Sequence, residues 1–147
     1  MDLSGLKWPL IAVIVLGIGW LCSSSGTNYM VKKFTEASVG ADPVKDASDE
    51  AMLSRIGSFM MKTFRYEKAF EVFSISITRY PEGKNTLYNK YRSVKCVEKM
   101  GDPKTAVAYL EELIGVNASS IDSRIPPNDN LTLRKEKLVE IFELQKR

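Results

Sequence analysis

The chain contains no histidine. That removes the commonest general base, the commonest metal ligand and the one side chain that titrates unperturbed near neutral pH. Cysteine is nearly absent too: Cys22 lies in an apolar N-terminal run and Cys96 far downstream. A bridge between them would join a lipid-embedded segment to a soluble one, so both read as reduced thiols, with no disulfide framework and no metal cluster. Strong charge of one sign is also missing. The 21 basic residues face 18 acidic ones, a net charge of +3 spread evenly along the chain, which offers nucleic acid little to grip. No Walker loop, dinucleotide-binding glycine pattern or GxSxG elbow occurs. No segment sustains the alternation of a strand or carries a hairpin signal. The adjacent carboxylates Asp49-Glu50 and Glu111-Glu112 are the remaining acid/base candidates. Near helix starts or on solvated faces, such pairs read as plain surface. Together these absences point away from catalysis, a cofactor, a metal or a small-molecule substrate.

What the chain does have is a long apolar run. From Trp8 to Val31 no residue is charged, and roughly 20 helical residues suffice to cross a bilayer. Pro9 fits a first helical turn. Trp8 and Tyr29 suit the two interfaces, with Lys7 and the Lys32-Lys33 pair outside them. The expected organisation is a tail over 1–7, one transmembrane helix over 8–31, a linker over 32–48 and a helical domain over 49–147. A cleaved signal peptide is the alternative offered by Ser23-Ser24-Ser25-Gly26. A lipid anchor at Cys22 is opposed by Trp20 and Leu21, which stand where small residues belong. The flanking lysines give little bias to orientation. Gly19 and Ser23, four apart, either admit a neighbouring helix or are merely tolerated.

The remainder has helical rhythm. Residues 49–64 place Met52, Ile56, Phe59 and Met60 on one face, with Leu53 beside them and Phe64 following. Residues 66–79 repeat the pattern with Ala69, Phe70, Phe73 and Ile77, and Pro81-Glu82-Gly83 ends it. Residues 86–100 offer Tyr88, Tyr91, Val94 and Val97. Gly101-Asp102-Pro103 is a sharp turn whose Asp caps the next helix, 103–114, with Ala106, Tyr109, Leu110 and Leu113 inward. A polar loop over 115–130 contains Pro126-Pro127. The last helix, 131–145, carries Leu131, Leu138, Ile141 and Phe142, a stripe interrupted by Arg134 that leaves its first turn half buried. Cys96, between Val94 and Val97, reads as an inert buried thiol.

The segment LSRIGSFMMKTFRYEKAFEVFSISITRYP resembles a tetratricopeptide repeat. Leu53, Ile56 and Gly57 match the large–large–glycine spacing of its first helix. Tyr66, Ala69 and Phe73 match its second, and Pro81 falls where the closing proline belongs. A second, more degenerate copy follows, aligning Gly101 and Ala106, with Ser93 and Val94 in place of the large–glycine pair. The resemblance covers residues 50–114 and in flavour is similar to repeats of bacterial envelope proteins. It implies an all-α array of two helical hairpins with a C-terminal capping helix, short of the three or more repeats that usually make such arrays stable.

By the same resemblance, the groove is lined by the first helix of each pair. That suggests Arg55 and Lys62 in the first copy, with Ser54 and Ser58, and Tyr88, Tyr91, Arg92, Lys95 and Lys99 in the second. Aromatic and arginine side chains are the usual interface anchors, and bases favour an acidic peptide or a C-terminal carboxylate. The bland alternative is a solvated basic stripe with its tyrosines packed inward. The implied function is a non-catalytic, membrane-anchored module that binds other proteins. It is expected as an accessory or structural subunit of a larger membrane complex, or alternatively as a free-standing tethered adaptor. The implied location is a bacterial inner membrane with the domain in the periplasm.

Overall fold

The computed structural model describes residues 4–145, and the side chains of residues 7–143. Of the expected tail 1–7, residues 1–3 therefore lie outside the described residues, and Ser4 already opens a helix. Among the described residues the chain is all-helical, 78% helix with no strand. In chain order the helices are α1 (Ser4–Cys22), α2 (Ser24–Lys33), α3 (Pro43–Lys62), α4 (Tyr66–Arg79), α5 (Thr86–Lys99), α6 (Pro103–Gly115), α7 (Ala118–Ile121) and α8 (Asn128–Gln145). They fall into two compact units, Met1–Glu36 and Ala37–Arg147.

In the first unit the expected continuous helix over 8–31 is broken. Helices α1 and α2 meet at Ser23 with a bend of 74°. Among the described residues no single helix is long and apolar enough to cross a membrane, and these two qualify by length and composition only as a bent pair. The cause is local. Ser23 is extended (φ −72°, ψ 163°), and its Oγ accepts from the Gly26 N–H at 3.2 Å and donates to the Trp20 carbonyl at 2.5 Å. A serine that bonds nearby backbone groups competes with the helical ladder. Gly26 then comes so close to the end of α1 that an added Cβ would lie 2.8 Å from the Leu21 Cα. Around α1, every described side chain from Lys7 to Leu21 is exposed.

In the second unit each main helix packs on the next: α3 on α4, α4 on α5, α5 on α6, and α6 on α8. Helix α3 starts inside the expected linker 32–48, because Asp42 Oδ1 accepts from the N–H groups of Val44 (3.0 Å) and Lys45 (3.2 Å) and Pro43 takes the first helical position. The same Asp-Pro pair opens α6, where Asp102 Oδ1 accepts from Thr105 at 3.0 Å. Hydrogen bonds from Thr105 hold the Asp102 carboxyl below its usual value. Helices α4, α5 and α6 lie within a residue of their expected bounds.

The loop over 115–130 is less polar than expected. It contains α7 and contributes Ala118 and Ile125 to the core. Helix α8 begins earlier than residue 131, and its opening is half buried as expected: Leu131 is fully enclosed, Thr132 and Arg134 are half-buried and Leu133 is exposed.

Among the described residues, Met60, Ala69, Phe73 and Cys96 form one buried cluster, and Val94, Val97, Ala106, Leu110, Leu113, Ala118, Ile125 and Leu131 another. At the α3–α4 crossing, Gly57 faces the Phe73 ring, where an added Cβ would lie 2.6 Å from Cδ1. Leu53 and Ile56 are buried as expected, but Phe59, Phe64 and Ile141 are exposed. Phe64 ends the α3–α4 turn with φ 61°, a left-handed conformation that bulky side chains resist. Exchanging Phe64 for glycine should therefore stabilise the fold by about 1 kcal/mol, measurable by urea titration. A loss of stability would show that the Phe64–Tyr66 edge contact, at 6.3 Å, outweighs the backbone strain.

Candidate functional site

The site is best approached from Glu50. Expected as surface, Asp49 and Glu50 are only 5% and 3% exposed. The expectation placed them at a helix start, whereas α3 begins at Pro43 and carries them inward. Glu50 accepts from the Asn85 backbone N–H and from Asn85 Nδ2, both at 2.8 Å. Asn85 makes no side-chain cap of its own, so the carboxylate of α3 serves the N-terminus of α5, where negative charge is favourable.

Deeper between α3, α4 and α5 lies a polar cluster that helical periodicity would assign to apolar residues. Asn89 is fully buried, accepting from Ser54 Oγ at 2.9 Å and donating to Ser76 Oγ at 3.2 Å. Arg92 reaches into this cluster. Its NH2 donates to Ser54 Oγ (2.6 Å) and Asn89 Oδ1 (2.5 Å), and its NH1 donates to Ser58 Oγ. The guanidinium lies 4.6 Å from the Phe73 ring centre and 4.4 Å from that of Tyr88. Its hydrogen-bond partners are all neutral, and its buried Nε has none among the described residues. Burial pushes the Arg92 pKa down, while arginine stays protonated at any ordinary pH.

Arg124, from the stretch between α7 and α8, also sits over Tyr88, at 4.5 Å. It bonds Asp122 (2.7 Å) and Asn85 Oδ1 (2.8 Å), fastening that stretch across the start of α5. Tyr91 stacks on Tyr88, with ring centres 6.3 Å apart and planes 27° apart.

Of the groove residues named from the sequence, the structure thus gathers Tyr88, Tyr91 and Arg92 with Ser54 and Ser58. Arg55, Lys62, Lys95 and Lys99 are exposed on the same two helices and stand outside the cluster. Arg92 is a packed guanidinium between two rings, not an open groove side chain. Buried Asn89 leaves no periodic signal, exposed Arg124 lies in a loop with none, and Glu50, expected as plain surface, turns inward.

The repeat positions Gly57, Ala69, Phe73 and Ala106 are buried, Tyr66 is half-buried, and Pro81 and Gly101 lie at exposed turns. Arg134, the polar interruption in the α8 stripe, is itself engaged: its guanidinium meets Glu98 through two bonds, at 2.8 and 2.6 Å, and reaches the Tyr91 ring. Changing Glu98 to Gln should loosen α8 by about 1 kcal/mol, read as earlier loss of helix in urea. An unchanged midpoint would mean the pair is idle.

Cys96 is fully enclosed, and burial pushes its thiol up to about 11. An acid raised in the folded state favours folding below its ordinary value, and that contribution fades as pH climbs from about 9 towards 11. Cys96 should resist a thiol reagent at pH 8 until denaturant is added. Rapid native labelling would contradict the burial.

A hollow of about 550 Å³ lies beside the Glu50–Asn85 pair, between the start of α3 and the α4–α5 turn, lined also by Val39, Pro43 and Tyr80. Among the described residues no group of three or more Cys, Asp or Glu side chains is placed to hold a metal ion. Against protein-family models, curated proteins and solved structures alike, the chain finds no match.

Proposed function

We propose that the protein is a non-catalytic, membrane-anchored interaction module. Its α3–α8 array is of the tetratricopeptide kind and works as an accessory, structural subunit of a larger membrane protein complex. The observation that carries this reading is the α3–α5 face. There the Tyr88–Tyr91 stack, backed by the ring-packed Arg92, which has no carboxylate partner among the described residues, lies on the same helices as the exposed bases Arg55, Lys62, Lys95 and Lys99. A partner segment bearing carboxylates matches that chemistry. Further support comes from the Gly57–Phe73 crossing and the helix-on-next-helix packing, which suit the repeat pattern.

The subunit role is favoured over a free adaptor by Val116, Ile121, Leu133 and Ile141, large apolar side chains left exposed towards the C-terminal end of a short array. The adaptor reading draws on α8, which already caps that end through Leu131 and Arg134. The anchor is the apolar N-terminal unit, and residence in a bacterial inner membrane with the array in the periplasm goes with the repeat resemblance.

Gentle detergent extraction followed by native mass measurement tests the proposal. Co-migration at fixed stoichiometry in a large membrane assembly is the expected result. A monomer with substoichiometric, salt-sensitive partners, weakened by changing Tyr91 and Lys95, would favour the adaptor. Full release by salt or alkali without detergent would remove the anchor.

A further inference from the structure

We infer that the break at Ser23 marks a membrane–water boundary: α1 enters the bilayer and ends there, while α2 lies along the headgroup layer. This rests on the membrane-anchor reading and replaces the straight span over 8–31 with a bent one.

Breaking a helix exposes N–H and C=O groups, and within hydrocarbon each such group costs several kcal/mol. A 74° bend is therefore out of place inside the hydrocarbon, where a straight span from Trp8 to Val31 would put it, about 5 Å from the bilayer centre. The residues that follow the bend agree. Helix α2 opens Ser24-Ser25-Gly26-Thr27-Asn28, five small or polar residues in succession, and ends in Lys32-Lys33. Such a helix belongs at a surface where water, headgroups and anionic lipid are within reach.

Helix α1 is the opposite. Apart from Lys7, each described side chain is uncharged, the large apolar ones among them are exposed, and no polar stripe runs along it. From Lys7 to Cys22 it spans about 24 Å, a few ångströms short of a hydrocarbon core, a mismatch that a short helix meets by local thinning of the bilayer and by snorkelling flanks. Lys7, near its start, reaches the far headgroups by extending its side chain.

The bend also brings Trp20 and Tyr29 together, with ring centres 5.9 Å apart. One aromatic from each helix then sits at one level, as amphipathic rings do at an interface. In a straight helix the two would be about 13 Å apart along the axis, with Trp20 near mid-membrane.

The two tryptophans of the chain make this measurable. The full chain is placed in phosphatidylcholine–phosphatidylglycerol vesicles brominated either high or deep on the acyl chains. Trp8→Phe leaves Trp20 as the reporter, and Trp20→Phe leaves Trp8. The expected result is a larger loss of Trp20 emission to the high bromines than to the deep ones. Strongest quenching of Trp20 by deep bromines would overturn the bend and leave a straight anchor standing. Absence of quenching at both tryptophans would remove the anchor itself, and the inference with it.

Discussion

Replacing Phe73 with alanine should lower the unfolding free energy by about 3–5 kcal/mol, a large share of the roughly 5–15 kcal/mol that a domain of this size possesses. Phe73 is fully enclosed, its ring fills the space that Gly57 leaves open, and it forms one wall of the Arg92 slot. Truncation removes all three contacts at once and leaves a cavity between α3 and α4. The complementary change, Gly57→Ala, should cost about 1–3 kcal/mol by forcing the same ring aside. Combining it with Phe73→Leu should recover part of that loss, since the smaller side chain vacates the contested space. Urea titration followed by helix content measures all three. Simple additivity of the two changes would mean that Gly57 and Phe73 do not share a contact.

The second large effect is expected at Arg92. Its exchange for alanine strips donors from Ser54, Ser58 and Asn89 and empties the slot between Phe73 and Tyr88. The charge-assisted bonds lost from these acceptors, of which Asn89 Oδ1 keeps its bond from Ser54 Oγ, together with the lost ring contacts, sum to about 2–4 kcal/mol. Methionine at this position separates the two contributions. It keeps an apolar stem in the slot and supplies no donor, so Arg92→Met should fall between wild type and Arg92→Ala. Lysine keeps the charge but cannot reproduce a planar fork held between two rings. Stability of Arg92→Met above that of wild type would show that burying this charge costs more than its hydrogen bonds return, as some buried ionic groups do. If the same face also takes a carboxylate from a partner, Arg92→Met should weaken co-purification even where the fold survives.

These residues show how far sequence reading carries. Helices α4, α5 and α6 follow from apolar spacing and from the breakers Pro81-Glu82-Gly83 and Gly101-Asp102-Pro103 between them, and the all-helical class follows with them. The start of α3 was equally legible, for Asp42-Pro43 repeats the Asp102-Pro103 signature that places α6 correctly. Reading the intervening small residues as linker concealed it, and with it the inward turn of Asp49 and Glu50. Phe64 and Ile141 fit a helical stripe but lie where the turn or the end of the array leaves nothing to cover them. The break at Ser23 depends on side-chain-to-backbone bonds that a count of apolar residues does not weigh.

At the site, Tyr88, Tyr91 and Arg92 are named by the repeat pattern. Asn89 and Arg124 are found only when distant segments meet, 35 residues apart for the Ser54–Asn89 bond and 39 for Arg124–Asn85.

The loan of Glu50 to the first turn of α5 has a consequence for how the array comes apart. The second hairpin has no cap of its own at that end, so it cannot be a self-sufficient module. Once α3 melts, α5 loses the carboxylate that completes its first turn, and fraying spreads along the chain. Nearest-neighbour coupling of this kind makes an array behave as a single cooperative unit. A fragment starting at residue 86 should accordingly remain largely unfolded, while the intact array melts in one step.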